Sequence, residues 1–381
     1  MFPSSPDPLV LETIDRICKN EIPRFQGEAH YNTVPRALFK VFGDAGVAGL
    51  AVPEAFGGIA ASASTSAAAF DLISRYDMGP AIFISVHAMA CGLITRFGSA
   101  DQKSSLLPKL ASGDLLAAFA LTEPGAGSDA QSLTTEAVQD GASFVLKGGK
   151  CYITSAGFAD LYVVFARTAD ASGSGISAFL VPPGIEGFSI GSPEKKMGCE
   201  LSPIASLFFD GARVPASALL GPLHQGFKVA LSGLAGGRVN IAACANGLSR
   251  AALDAAVRHL KERRQFGRPL AEFQGLQFMV ADMHSRLEAS RLLTERAAAD
   301  LDSPSASISS TRLSSSVAKC FATDSAMSIT TDAVQLLGGA GYIREYAVER
   351  YMRDAKMLQI VEGSNQIQRM IISRELLDGQ D

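Results

Sequence analysis

Tryptophan is absent from this sequence of 381 residues, histidine occurs only five times, and the cysteines form no CxxC pair. The histidines show neither HxxxH nor HxH spacing, so we predict no metal site. Single cysteines in a chain of this length are typical of reduced, mostly structural thiols in a reducing compartment. They are Cys18, Cys91, Cys151, Cys199, Cys244 and Cys320.

A surplus of basic residues is also missing, because 34 Lys and Arg stand against 38 Asp and Glu. This balance excludes a general electrostatic attraction to nucleic acid or to an anionic membrane. No apolar run reaches the ~18 residues expected of a membrane span. The first residues, MFPSSPDPLV, lack the basic and apolar segments of a signal peptide. We therefore expect a bacterial cytoplasmic protein, with the mitochondrial matrix as the alternative.

The sequence changes in character twice along its length, which predicts an α+β fold of three domains. We expect an N-terminal α-helical domain over 1–116, a central antiparallel β domain over 117–222 and a C-terminal α-helical bundle domain over 223–381. Short runs rich in β-branched and aromatic residues mark the central strands. They are Phe144–Leu146, Leu161–Ala166, Ile176–Val181 and Ala205–Phe209.

Two one-sided apolar stripes predict long amphipathic helices in the C-terminal domain. One consists of Leu276, Met279, Val280, Met283 and Leu287, and the other of Leu248, Ala252, Leu253, Ala256, Val257 and Leu260. The serine-rich segment Ser303–Ser316 is expected to be an exposed connection or a polar helix start.

A glycine-rich segment, LTEPGAGSDA, begins the central domain. Its GAGSDA portion matches G-x-G-x-x-A, but no strand–turn–helix context follows and Pro124 interrupts the strand, so we reject a dinucleotide fingerprint. Two interpretations remain. The segment is an ordinary loop, or its backbone amides and the hydroxyls of Thr122 and Ser128 face a phosphate-bearing ligand.

The next segment, Lys150–Ser155, alternates like a strand, which places Tyr152 and Thr154 on one face. A ring beside a hydroxyl suits a planar heteroaromatic ligand, although a cross-strand packing pair has the same pattern. Further on, Arg263–Gly267 precedes a helix break. Its arginines and Phe266 could contact a phosphate and a base, or form a solvated helix end.

Two segments near the C-terminus carry further candidates. Gln335–Tyr342 ends a helix with three glycines, which indicates either a C-cap with a loop or close backbone approach by a ligand or partner chain. Glu362 follows an apolar run and precedes Gly363. Hydrophobic surroundings tend to raise the pKa of such a carboxylate, which can then act as a base near neutral pH. A surface loop glutamate fits the same local pattern.

Together, six segments resemble the acyl-CoA dehydrogenase family, in order and over nearly the whole chain. They are LTEPGAGSD (121–129), KCYITS (150–155), RRQFG (263–267), QLLGGAGY (335–342), ERYMRDAK (349–356) and VEGSNQIQR (361–369). The resemblance implies a helical domain, a β domain and a four-helix bundle. It also implies FAD as cofactor, an acyl-CoA substrate, an electron-transferring flavoprotein as acceptor, and a homotetramer formed as a dimer of dimers.

The resemblance implies that Thr122 and Thr154 hydrogen-bond the flavin ring, and that Tyr152 lies against it where many members carry Trp. The residues implied at the FAD site are Phe119, Leu121, Thr122, Ser128, Tyr152, Ile153, Thr154, Arg263, Phe266, Phe273, Gln274, Gln335, Leu336, Leu337, Gly338, Gly339, Ser364 and Gln366. Those from Arg263 to Gly339 would contact FAD from a neighbouring subunit. The substrate side would comprise Ser128, Ala235, Gly236, Gly237, Arg238, Glu362 and Arg374.

Glu362 matches the commonest position of the family's catalytic base. Some members place the base at the position occupied here by Gly237, which has no side chain. The resemblance therefore implies that Glu362 removes the substrate α-proton. Ala235 stands where many members have an acidic or polar residue that assists the CoA arm.

The segments LSGLAGGRVNIA (231–242), VAKCFATD (317–324), EYAVE (345–349) and EGSNQI (362–367) are most similar to the isobutyryl-CoA dehydrogenase branch. This implies oxidation of isobutyryl-CoA, a short 2-methyl-branched substrate from valine breakdown, to methacrylyl-CoA. A straight-chain butyryl-CoA dehydrogenase is the first alternative. An acyl-CoA oxidase and a catalytically degenerate CoA- and flavin-binding scaffold are the others.

Overall fold

The computed structural model describes residues 6–26, 31–168 and 175–378. Its N-terminal domain is helical, as predicted. The helices are α1 (Pro8–Glu21), α2 (Arg36–Asp44), α3 (Ala63–Tyr76), α4 (Met78–Phe97) and α5 (Ala100–Ala111). Asp7, Ser62, Asp77 and Ser99 each accept hydrogen bonds from backbone N–H groups of the following first turn. These caps explain why α1, α3, α4 and α5 begin where they do.

Helix α4 is, by length and composition, long and apolar enough to cross a membrane. This corrects the expectation that no segment reaches that length. However, 83% of its apolar window is buried inside the protein, as in a helix that packs in a protein core. His87 in this helix is fully buried and joins the helical domain to the sheet. Its Nδ1 accepts a hydrogen bond from the N–H of Ala117 (3.0 Å), and burial lowers its pKa to about 4.

The central domain is a sheet of eight strands within the described part of the chain. They are β1 (Ala117–Ala120), β2 (Glu136–Asp140), β3 (Ser143–Thr154), β4 (Leu161–Arg167), β5 (Ile176–Val181), β6 (Phe188–Ile190), β7 (Ile204–Pro215) and β8 (Leu219–Leu220). The order is β6-β7-β3-β2-β4-β5-β8, and β1 pairs with β4. Each run that the sequence marked as a strand lies within β3, β4, β5 or β7.

The central domain, predicted to be antiparallel, has a mixed sheet, because β1 pairs with β4 in parallel, Ala117 opposite Leu161. Strand β2 also meets β4 in parallel, at Glu136 and Arg167. A parallel pair needs a long connection, and here the loop after β1 and the β2–β3 hairpin provide it. Alternating burial looks the same in both orientations, so the residue pattern could not distinguish them.

The C-terminal domain is helical, and the fold class is therefore confirmed. Its elements are α6 (Gly226–Glu262), the short hairpin β9 (Arg264–Gln265) and β10 (Arg268–Pro269), α7 (Gln274–Asp302), α8 (Ile308–Leu337), α9 (Val348–Leu358) and α10 (Asn365–Asp378). The two apolar stripes predicted for α6 and α7 pack into one core cluster with the end of α8, except that Leu248 lies in a neighbouring cluster.

The segment Ser303–Ser316 is only partly as predicted. Helix α8 begins at Ile308, which agrees with a polar helix start, but Ser315 and Ser316 are fully buried. Their small side chains fit where α8 packs closely on α6. The Ser315 hydroxyl donates to the carbonyl of Arg312 (3.2 Å), so its burial leaves that donor satisfied.

A close crossing of α3 and α6 gives a first testable prediction. A Cβ added at Gly247 would lie 1.9 Å from the carbonyl oxygen of Asp71 and 2.2 Å from Oγ of Ser74. We expect Gly247→Ala to lower the free energy of unfolding by roughly 1–3 kcal/mol, because the two backbones must separate. Gly92→Ala is the control, since a Cβ there meets nothing within 4 Å. Equal denaturation midpoints for both variants would contradict this packing.

Candidate active site

The two motifs of the central domain lie side by side. The N–H of Cys151 donates to the carbonyl of Thr122 (2.9 Å). Nζ of Lys150 donates to the carbonyl of Leu121 (3.2 Å) and forms an ion pair with Oε1 of Glu123 (2.6 Å). The glycine-rich segment is thereby fixed to strand β3, and Thr122 and Tyr152 are brought to one region.

The ion pair between Glu123 and Lys150 is buried and fully hydrogen-bonded. Oε2 of Glu123 accepts from the N–H (2.6 Å) and hydroxyl (2.9 Å) of Thr134, and Oε1 accepts from the N–H of Thr135 (3.0 Å). Burial alone would raise the pKa of Glu123, but these bonds and Lys150 hold it at about 2. Burial lowers the pKa of Lys150 to about 8, against the opposing effect of Glu123. Both groups are therefore charged at neutral pH.

Strand β3 presents Tyr152 much as the sequence predicted. From Cys151 to Thr154 burial alternates, with Cys151 and Ile153 buried and Tyr152 65% exposed. Lys150 departs from the alternation, because the register with β7 shifts between Lys150 and Ile153. Tyr152 also has φ +57°, a left-handed conformation that costs a non-glycine residue on the order of 1–3 kcal/mol. Such conformations cluster at ligand sites.

Glu362 lies in the turn between α9 and α10. Its Oε2 is buried and has no hydrogen-bond partner among the described residues. The carboxylate covers the α-carbon of Gly237 on α6: a Cβ added there would lie 2.6 Å from Oε2 and 2.9 Å from Cδ. The structure thus brings together the two positions at which the family resemblance allows a base, and only one of them carries a side chain.

The surroundings of Glu362 raise the pKa of its carboxyl group into the range in which it can act as a base near neutral pH. Burial raises its pKa to about 7, although the nearby cations Arg238 and Lys319 favour the charged form. A carboxylate with this pKa and an unused buried oxygen can accept a proton from a bound molecule. Arg238 is itself buried between α6 and α8, where its Nη1 donates to Oγ of Ser316 (3.5 Å).

A cavity of about 270 Å³ lies beside Gly237, between α3, α4 and α6. Small and apolar side chains form most of its wall. The residues include Ala61, Ala63, Ala88, Met89, Gly92, Leu93, Gly233, Gly236, Gly237 and Val239. Arg96 is the one charged residue among the described residues that line it. Of the substrate residues expected from the sequence, Gly236 and Gly237 line this cavity, whereas Ser128, Ala235, Arg238, Glu362 and Arg374 do not.

The remaining residues expected at the FAD or substrate site differ in accessibility. The side chains of Leu121, Ile153, Leu336 and Leu337 are buried in core clusters, so these residues can offer a ligand mainly backbone atoms. Partly buried are Phe119, Thr122, Thr154, Phe273 and Ser364. Exposed are Ser128, Arg263, Phe266, Gln274, Gln335, Gly338, Gly339, Gln366 and Arg374.

One group of these residues lies far from Glu362 within one chain. The hairpin after α6 packs through Leu270 on the cluster that contains Leu337, at the far end of α8. From Lys319, whose charge acts on Glu362, to Leu337, α8 rises by about 27 Å at 1.5 Å per residue. The segments 263–274 and 335–339 therefore form a second exposed region, which a single chain does not bring to Glu362.

Several residues of the site were missed by the sequence analysis. Lys319, Asn365 and Gln368 surround the turn of Glu362, and Glu123 pairs with Lys150. Lys319 and Asn365 fall within segments already used for the resemblance. A lysine inside an apolar helical pattern was the available signal for Lys319. The partners of Lys319 and Lys150, however, are far away in the sequence, so the local pattern could not identify them.

Comparisons with known proteins agree with this geometry. Three family models match in order: acyl-CoA dehydrogenase N-terminal domain over residues 7–114, middle domain over 118–212 and C-terminal domain over 224–377. The chain belongs to the acyl-CoA dehydrogenase family.

Relatives of this acyl-CoA dehydrogenase include one from Bacillus subtilis (strain 168), 46% identical over 91% of this chain and 90% of the relative. The mitochondrial isobutyryl-CoA dehydrogenase of Dictyostelium discoideum is 41% identical over 90% of this chain and 82% of its own length. Butyryl-CoA dehydrogenase from Megasphaera elsdenii has a similar structure, with TM-score 0.91, 37% identity and 97% of both chains covered.

A chain from a structure of the electron transferring flavoprotein of Acidaminococcus fermentans is also similar. It has TM-score 0.92 and 41% identity, with 98% of this chain and 97% of that chain covered.

The buried pair gives a prediction for this acyl-CoA dehydrogenase. We expect Lys150→Met to lower the free energy of unfolding by about 3–5 kcal/mol, because Glu123 would keep a buried charge without its partner. The double variant Glu123→Gln/Lys150→Met should recover part of that loss. The measurement is urea denaturation of the two single variants and the double variant. Additive losses would contradict a direct interaction between the two side chains.

Proposed function

We propose that this protein catalyses the FAD-dependent α,β-dehydrogenation of a short acyl-CoA with Glu362 as the base. The substrate that we favour is 2-methyl-branched, with isobutyryl-CoA converted to methacrylyl-CoA. One observation carries the proposal: the Glu362 carboxylate, with a pKa of about 7 and a buried Oε2 that has no partner among the described residues, lies against Gly237, which itself lines a mostly apolar cavity.

The residues around β3 fit a bound flavin. Tyr152 offers an exposed ring in a strained backbone conformation. The hydroxyls of Thr122 and Thr154 make no hydrogen bond within the described part of the chain, and the buried Oγ of Ser155 also has no partner. A ring to stack on and unused hydroxyls suit a planar heteroaromatic group with ring nitrogens and carbonyl oxygens. These residues would hold FAD, which when bound accepts the hydride from the substrate β-carbon.

The chain's own residues account for proton removal. The α C–H of a thioester is far too weak an acid for an ordinary carboxylate, so the thioester carbonyl must be polarised. The N–H of Glu362 makes no backbone hydrogen bond among the described residues and is available as a donor to that carbonyl. The Glu362 carboxylate then takes the α-proton, while the mostly apolar cavity wall excludes water from the acyl group.

Similarity to proteins of known name narrows the choice of acyl group. A 41% identical relative is an isobutyryl-CoA dehydrogenase, and a 37% identical structure is a butyryl-CoA dehydrogenase. Both names describe four-carbon acyl groups. The greater similarity of four sequence segments to the isobutyryl branch favours the 2-methyl-branched substrate, and butyryl-CoA is the second candidate.

We further propose that electrons pass to an electron-transferring flavoprotein. The similarity to a chain in a structure of the electron transferring flavoprotein of Acidaminococcus fermentans supports this. Such a dehydrogenase needs an electron acceptor, because reduced FAD must be reoxidised before the next turnover. An acyl-CoA oxidase would instead use oxygen, so the rates with the two acceptors distinguish these functions.

A homotetramer, formed as a dimer of dimers, is part of the proposal. The region of 263–274 and 335–339 is exposed and far from Glu362, which agrees with contacts to the FAD of a neighbouring subunit. Large apolar side chains are exposed on the C-terminal helices and turns, a pattern typical of an interface. Among them are Phe266, Phe278, Leu292, Tyr342, Ile343, Tyr346, Ile360 and Leu377.

Glu362→Gln tests the base. We expect yellow, FAD-bound protein with turnover reduced by at least 10³-fold, because the amide cannot accept the α-proton (about 4 kcal/mol in barrier). For the wild type, a raised pKa means that the active, ionised form is lost as pH falls through about 7. The rate constant kcat/KM should therefore decline on the acid side with an apparent pKa near 7. Activity of Glu362→Gln within about tenfold of wild type would exclude Glu362 as the base.

A substrate panel tests the acyl group. Flavin bleaching is measured under anaerobic conditions with isobutyryl-, 2-methylbutyryl-, butyryl-, isovaleryl- and octanoyl-CoA. We expect the largest second-order rate constant of flavin reduction with isobutyryl-CoA, at least about tenfold above butyryl-CoA, the difference expected from about 1.4 kcal/mol of differential transition-state binding. A preference for butyryl-CoA would support the second candidate, and a preference for octanoyl-CoA would contradict both. Protein without flavin absorbance would favour the scaffold alternative.

A further inference from the structure

Lys319 is a lysine of α8 that the proposed reaction does not use, yet it is fully buried beside the turn that carries Glu362. Its Nζ donates to the carbonyl of Gly363 (2.9 Å) and to Oδ1 of Asn365 (2.9 Å). It forms no ion pair with a carboxylate in the described ranges 6–26, 31–168 and 175–378. A buried cation with two neutral partners is costly unless another requirement keeps it there.

Stabilisation of the neighbouring helix does not explain this lysine. Asn365 is the first residue of α10, so the ammonium group lies at the positive end of that helix. A cation at a helix N-terminus has the unfavourable sign for the helix dipole. Burial lowers the pKa of Lys319 to about 8, while the negative groups Glu362 and Asp324 oppose that effect. At neutral pH the side chain is still mainly charged.

The turn itself needs to be held. Glu362 has φ +56° and Gly363 has φ +85°, two successive left-handed residues of which only the second is a glycine. Gln368 donates from Nε2 to the carbonyls of both Glu362 (3.0 Å) and Gly363 (2.8 Å). Lys319 donates to the second of these carbonyls from the opposite element. Both buried side chains thus hold the peptide that follows Gly363, and Gln368 also holds the peptide that follows Glu362.

Glycine is required next to the base for the same reason. A Cβ at Gly363 would lie 2.7 Å from Nε2 of Gln368, in addition to the unfavourable φ of that position. Asn365 is in turn held by Oδ1 of Asp324, which accepts from its Nδ2 (2.7 Å). The position of Lys319 is therefore determined by a connected set of hydrogen bonds and not by packing alone.

Two cations face the carboxylate of Glu362 from the helices packed around it: Arg238 from α6 and Lys319 from α8. Arg312 is near Arg238, while Asp324 and Cys320 are near Lys319. Lys319 is the cation that also bonds to the backbone next to Glu362. Lys319 therefore acts on Glu362 in two ways: its hydrogen bond holds the adjacent backbone, and its charge favours the ionised carboxylate.

We propose that Lys319 is a positioning residue for the base, holding the turn through the Gly363 carbonyl so that the Glu362 carboxylate and N–H keep their directions. This inference rests on the proposed role of Glu362. It predicts that loss of Lys319 affects the chemical step more than substrate or FAD binding, because the hydrogen bonds of this side chain go to the turn that carries Glu362. It also predicts that Glu362 ionises less readily when the positive charge is removed.

The experiment compares Lys319→Met with wild type in the FAD-bound protein. We expect kcat to fall on the order of 10²-fold, as for a misplaced catalytic group, with KM and FAD content within about twofold. The acid limb of the kcat/KM profile should move to higher pH by about one unit. Gln368→Met removes hydrogen bonds to the same turn without changing charge, so its kcat should fall while the acid limb stays in place.

Thr330→Val is the matched control, because Thr330 is a buried residue of α8 whose hydroxyl bonds only within that helix. It should keep both kcat and the pH profile. If Lys319→Met does not fold, Lys319→Gln is measured instead, and it must show the same displaced acid limb. Lower thermal stability with unchanged kcat and pH profile would overturn the inference. An active Glu362→Gln protein would overturn the proposed function, whereas an inactive Glu362→Gln with a normal Lys319→Met overturns this inference alone.

Discussion

The rest of this site depends on one constraint: the buried Oε2 of Glu362 has no hydrogen-bond partner in the part of the chain that the structure describes. Glu362 is tolerated there because Gly237 leaves room for its carboxylate and because Arg238 and Lys319 offset part of the cost of burying its charge. The same burial raises its pKa into the range useful for catalysis. The left-handed backbone conformation of this turn is unfavourable, and a connected set of buried side chains maintains it.

Two rigid elements place this carboxylate relative to the proposed flavin. Helix α6 carries Gly237 and Arg238, and strand β3 carries Tyr152 and Thr154. The ion pair of Glu123 and Lys150 joins β3 to the glycine-rich segment, so the residues expected around the flavin ring derive their positions from one buried interaction. The three domains also share one core cluster, in which residues of α3, β4 and α6 pack together. A site built from all three domains therefore has a continuous support.

The sequence predicted those features that depend on local pattern or on family resemblance. Strand runs, amphipathic stripes and the position of Glu362 belong to this class, and the order of helical and β domains is confirmed. The parallel pairing of β1 with β4 and the burial of Ser315 and Ser316 were not predicted, because both depend on which distant segments meet. The contact between Glu362 and Gly237 also joins distant segments. The sequence indicated Glu362 and Gly237 separately, but only the fold shows that the Glu362 carboxylate lies against Gly237.

The most direct measurement of the central claim is exchange of the substrate α-proton with solvent, separate from electron transfer. A 3-thia-acyl-CoA analogue acidifies the α-position but is not oxidised, and NMR in D2O follows its deuterium uptake on the FAD-bound protein. The account predicts rapid exchange with wild type, at a rate that falls as pH drops through about 7, and exchange slowed by at least about 10³-fold with Glu362→Gln. Equal exchange rates for the two proteins would contradict the assignment of Glu362 as the base.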